Sequence, residues 1–82
     1  MAVSALNFER NVQPTELFKL MCTHGSLQCD QWGITVDEHG AWLTNPYGVD
    51  CMLFQDVNEE SAKKILNYMH AGDNILDEWA HL

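Results

Sequence analysis

The stretch CTHGSLQC, Cys22 to Cys29, carries two thiols and an imidazole, the donor types of a zinc site. Zinc knuckles space their cysteines about two to four residues apart, so that one tight turn aims two thiolates at a tetrahedral centre. Here the order is Cys22-x-His24 and then four more residues to Cys29. On a helix, at about 100° per residue, Cys22 and His24 diverge by roughly 200°. A fourth donor would have to come from Cys51, His39 or His70, and nothing local demands it. The spacing therefore favours Cys22 as a small buried hydrophobe. A metal-binding module on Cys22, His24 and Cys29 is kept as an alternative, and no cofactor is implied.

A second constellation, Asp37-Glu38-His39-Gly40, has the residue types of acid–base chemistry. A mobile turn does not hold catalytic groups in fixed geometry, so this run reads as a polar hairpin tip in which Gly40 supplies a positive φ. The chain holds no GxSxG, Gly-rich phosphate loop, HExxH or paired CxxC. His70 and His81 fall near helix C-terminal ends, where an imidazolium is favourable for structural reasons alone. A non-enzymatic protein is expected, since so small a domain rarely encloses a pocket.

The elements that would position these groups follow from periodicity. Residues 1–12 alternate weakly, as an extended arm or edge strand does. Pro14 pre-sets a first helical turn, Glu16 suits the positive helix end, and Gly25 is placed as a stop. Leu17, Leu20, Met21 and His24 recur at helical spacing, flanked by Phe18 and Cys22, which predicts a helix over Pro14–His24. From Leu27 the period becomes two: Trp32, Ile34 and Val36 alternate with polar or small residues as in a half-buried strand. Ala41–Thr44 is a second strand, Asn45-Pro46-Tyr47-Gly48 a type I turn, and Val49–Gln55 a third strand. Apolar residues on both faces of the third suggest the central or most covered strand. Asn58 caps a helix whose stripe is Ala62, Ile65, Leu66 and Met69, with Val57 as a staple. Gly72 ends that helix. Asn74 then caps a short last helix turning Ile75, Leu76 and Trp79 inward.

The expected fold is α+β: an N-terminal helix, a three-stranded antiparallel meander, and a C-terminal helix plus a short last helix, all on one sheet face. With 82 residues, one domain spanning 1–82 is expected, near the size at which a single core just suffices. MAVSALNFERNV lacks the basic and apolar regions of a secretory signal. No apolar run approaches the ~20 residues of a membrane span. Three cysteines, an odd number, argue for reduced thiols. A cytoplasmic protein without membrane contact is expected.

Charge is the strongest bulk signal. Twelve acidic residues against four Lys and Arg give a formal net charge of -8, which disfavours direct nucleic-acid binding and favours basic protein surfaces. Capping and turn chemistry account for much of it: Asp56, Glu59 and Glu60 start one helix, Asp73, Asp77 and Glu78 gather at another, and Asp37 and Glu38 form the tip. They do not account for the absence of any Lys or Arg between Lys19 and Lys63. The candidate partner-binding residues are Asp37, Glu38, Trp42, Tyr47, Asp50, Asp56, Glu59 and Glu60. Trp42 and Tyr47 are the aromatic anchors, although Trp42 reads more readily as core.

The functional expectation is an acidic interaction protein that inhibits a larger protein by occupying its basic surface, such as that of a nuclease or another nucleic-acid-binding complex. Phages deploy inhibitors of this type in anti-defence and host takeover. The alternative is an immunity- or accessory-type protein that binds one enzyme by shape and apolar contact. Homodimerisation through a sheet edge or a Trp-bearing face is a further option.

Overall fold

The structure is a computed structural model that describes residues 5–80, excepting the side chains of Cys51 and of 73–80. Its elements are β1 (Leu6–Asn7), α1 (Pro14–Thr23), β2 (Ser26–Cys29), β3 (Trp32–Asp37), β4 (Gly40–Thr44), β5 (Asp50–Phe54) and α2 (Glu59–Ala80). The strands form one five-stranded sheet in the order β1-β2-β3-β4-β5. β1 is parallel to β2, and the remaining pairs are antiparallel.

The expected fold is thereby corrected. The sheet has five strands and is mixed, and the first helix follows β1 rather than opening the fold. Parallel neighbours need a crossover, and α1 supplies it between β1 and β2. β1 falls within the weakly alternating residues 1–12, where an arm or edge strand is expected, whereas β2 is not distinguished by period from the strand expected after Leu27. β1 acquires its identity by pairing Leu6 with Leu27 and Asn7 with Gln28, and β2 is only four residues long.

Pro14 sits in the first turn of α1, and Leu17 and Met21 are its buried residues. The helix stops at His24, whose N–H donates to the Leu20 carbonyl at 2.8 Å. β2 and β3 meet in a two-residue turn, Asp30-Gln31, with Asp30 at φ 55°. Arg10 anchors this turn to the segment after β1 through a 2.8 Å ion pair with Asp30.

Alternation assigns one sheet face to the helices. Leu27 and Cys29, Trp32 and Ile34, and Ala41 and Leu43 are buried there against Leu17 and Met21 of α1 and Ala62, Ile65, Leu66 and Met69 of α2. β5 is an edge strand, not the most covered one, and Met52 is 37% exposed. Its two apolar faces have a different reason: Met52 and Phe54 lie in the rows of Leu43 and Ala41, whereas Leu53 lies in the row of Trp42 on the opposite face.

α2 is a single helix through Gly72 to Ala80, about 33 Å long. The expected break at Gly72 is absent, as is the separate last helix. Inward orientation of Ile75, Leu76 and Trp79 lies outside the described residues. The cap at Asn58 is reciprocal: its Oδ1 accepts from the Ser61 N–H at 2.8 Å, and Ser61 Oγ accepts from the Asn58 N–H at 2.9 Å. Among the described residues no helix is long and apolar enough to cross a membrane.

Candidate interaction surface

Both helices lie on one face of the sheet, so the other face is uncovered among the described residues. Two rows of side chains cross it, Ser26–Thr35–Trp42–Leu53 and Gln28–Gly33–Thr44–Asp50. The sequence places Trp42 more readily in the core; it is instead half-buried in the first of these rows. Its neighbours Ala41 and Leu43 point to the helices and are fully buried, and strand alternation sends Trp42 the other way.

Asp37 fixes the indole. Trp42 Nε1–H donates to Asp37 Oδ2 at 2.9 Å, while Asp37 Oδ1 accepts the His39 N–H at 2.8 Å. One carboxylate therefore closes the hairpin tip and orients the aromatic plane. Gly40 completes the turn at φ 130°, tight against the backbone of Phe54 and Gln55. Glu38 and His39 are exposed beside it, with Oε1 and Nε2 3.5 Å apart.

At the other end of the face, Thr44 Oγ1 donates to Asp50 Oδ1 at 2.8 Å. The turn that follows β4 is closed by the Gly48 N–H to the Asn45 carbonyl at 2.9 Å, with Asn45 Oδ1 accepting from Tyr47 and Val49. This turn displays Tyr47, 69% exposed, and Val49, 57% exposed. Between the ends, over Gly33, the face dips into a shallow depression of about 270 Å³ walled by Gln28, Thr35, Thr44 and Pro46. Hydroxyls, amides and a proline ring offer contacts there, and its lining residues carry no charged side chain.

The candidate residues thus divide. Asp37, Glu38, Trp42 and Asp56 gather toward one end, because Gly40 packs on Phe54 and Gln55, next to Asp56. Asp50 and Tyr47 mark the opposite end, roughly 10 Å further along β4 at ~3.4 Å per residue. Glu59 turns to α1, where its Oε1 accepts from Thr15 Oγ1 at 2.7 Å, so it ties the two helices together. Glu60 lines an open trough between β5 and α2. Reading by residue type passed over Leu53, Thr35 and Thr44. Their shared row or face with Trp42 is a matter of register, which one strand alone does not state.

The zinc-like stretch separates. Cys29 is buried on the helix-facing side of β2, whereas Cys22 and His24 are exposed. Cys22 is thus not the buried hydrophobe its spacing favoured. Among the described residues no three His, Cys, Asp or Glu side chains gather as a metal site.

The charge along the sheet is mostly of one sign, Arg10 on Asp30 being a cation that reaches it from outside these strands. No Lys or Arg lies anywhere from β2 to β5, while Asp30, Asp37, Glu38 and Asp50 all do. Compared with family models, with curated proteins and with solved structures, the chain has no match in any of the three.

Proposed function

We propose that this is a non-catalytic interaction protein that docks on a basic, nucleic-acid-binding surface of a larger protein and blocks it, as anti-defence and host-takeover inhibitors do. The observation that carries the reading is the pairing of an oriented aromatic with four successive strands that contribute no cation of their own. Trp42 lies on the uncovered face with its ring held by Asp37, and no Lys or Arg intervenes from Ser26 to Phe54. Carboxylates at Asp37, Glu38, Asp50 and Asp56 take the place of phosphates against Arg and Lys. Trp42 and Leu53 supply the apolar contact that screened charge alone does not.

Tagged protein captured from lysate of its natural host at low salt tests this. The expected result is a basic partner that is lost at high salt, displaced by added nucleic acid and not retained by Trp42→Ala. The second reading, shape-driven binding of one enzyme, is favoured by the exposed pair Tyr47 and Val49. A partner that survives high salt, ignores nucleic acid and depends on Tyr47 rather than Trp42 would establish it in place of the first.

A further inference from the structure

β5 ends the sheet, and among the described residues no strand lies beyond it. The Phe54 carbonyl oxygen points at β4, since it stands 2.2 Å from where a Cβ on Gly40 would lie. Along a strand, backbone groups alternate in direction. With Phe54 turned toward Ala41, its register partner, the N–H and C=O of Leu53 face outward.

Beside that edge runs the open trough of about 360 Å³, lined by Leu53, Phe54 and Asp56 on one side and by Glu60, Ser61 and Lys64 of α2 on the other. The trough thus runs along β5 from Leu53 to Asp56, between that strand and the start of α2. Edge strands are usually guarded by Lys, Pro or a bulge. β5 contains neither Lys nor Pro, and its one pairing irregularity, at Leu43/Thr44, lies toward its start and leaves Met52 to Phe54 regular.

We propose that this edge takes up an extended Lys- or Arg-bearing segment of the partner as a sixth strand. The proposal rests on the acidic docking function above and specifies which element of the partner is recognised. Strand addition satisfies the outward amide and carbonyl of Leu53. Side chains of the added strand then alternate. Those on the helix side enter the trough, where Asp56 and Glu60 outnumber Lys64. Those on the open side extend the apolar row of Trp42 and Leu53. A second copy is a poor occupant, because its own β5 would bring Asp50, Asp56 and a further net charge of -8 against the same edge.

The probe is a capped peptide of alternating Lys and Val, long enough to span β5, titrated into isotope-labelled protein and read by amide hydrogen exchange. At saturation the Leu53 amide should exchange at least about tenfold more slowly, while Met52 and Phe54, already in the ladder, change little. Leu53→Pro should abolish binding and keep the fold, since proline is tolerated where an edge N–H faces outward. The matching Glu-Val peptide should not bind. Three results would overturn the proposal: no Lys-Val binding at about 1 mM peptide, equal binding of the Glu-Val peptide, or binding that leaves Leu53 exchange unchanged and perturbs only Trp42 and Thr35. Protection of Leu53 without peptide, together with a doubled mass, would assign the edge to a second copy and overturn it too. The docking function is judged separately, by the salt-sensitive and Trp42-dependent capture, which does not involve this peptide.

Discussion

Gly72 lies directly against the indole of Trp32: a Cβ at position 72 would stand 2.6 Å from Cζ2 and 2.7 Å from Cη2. Trp32 is buried on the helix-facing side of β3, and Tyr68, one turn before Gly72, meets its ring edge-on with centroids 6.2 Å apart. The glycine lets α2 pass close over the tryptophan, and the helix continues beyond it.

Gly72→Ala sets two effects in opposition. Helix propensity gains about 1 kcal/mol, whereas displacing a buried, rigid ring costs roughly 1–3 kcal/mol. The expected net is a loss of about 1 kcal/mol in denaturant unfolding, relieved when Trp32 is also shortened to Leu. An alanine that stabilises the otherwise unchanged protein would contradict the close contact.

Trp42 should matter little to folding and much to binding. On the open face its truncation to Ala is expected to cost about 1 kcal/mol, against roughly 2–5 kcal/mol for Leu43→Ala one residue away on the buried face. Asp37→Ala removes the acceptor of both the indole and the His39 amide. It should cost about 1 kcal/mol and release the ring, which would appear as altered tryptophan fluorescence anisotropy. Equal destabilisation by the Trp42 and Leu43 truncations would place Trp42 in the core.

The start of α2 depends on the reciprocal Asn58–Ser61 pair. Asn58→Ala should lower stability by about 1 kcal/mol, and Asn58→Asp should retain most of it, because the carboxylate caps equally well and faces the positive helix end. Thermal melts of the two variants side by side would decide this.

The cysteines at the two ends of CTHGSLQC should behave as unrelated residues. A thiol reagent applied to native protein should modify Cys22 within the mixing time and reach Cys29 only on unfolding, as peptide mapping would show. Cys22→Ser should leave stability within about 0.5 kcal/mol, while Cys29→Ser places a hydroxyl in the core and should cost roughly 1–3 kcal/mol. Matching losses, with zinc bound by the parent protein alone, would make the stretch a metal site.

Local chemistry was legible in the residues. Pro14 opens a helix whose buried side is Leu17 and Met21, Asn45 to Gly48 form a turn, Asn58 caps α2, and Gly40 takes its positive φ at the hairpin tip. Each is set by a handful of neighbouring atoms, so sequence alone suffices. The alternation of Ala41, Trp42 and Leu43 likewise determines that Trp42 opposes its neighbours. It does not determine which side the helices cover, and that choice alone makes Trp42 a surface group beside Asp37.

Tertiary structure decided the rest. The weak alternation of residues 1–12 leaves an arm and an edge strand equally open, and β2 is only four residues long; pairing of Leu6 with Leu27 and of Leu27 with Ile34 makes both of them strands. Two apolar faces suggest a central place for β5, yet the chain leaves it for α2 and, among the described residues, no strand lies on its outer side. Gly72 looked like a stop because glycine weakens helices. Contact with Trp32, forty residues earlier in the chain, gives it another use, and burial across so long a separation outweighs a local propensity of about 1 kcal/mol.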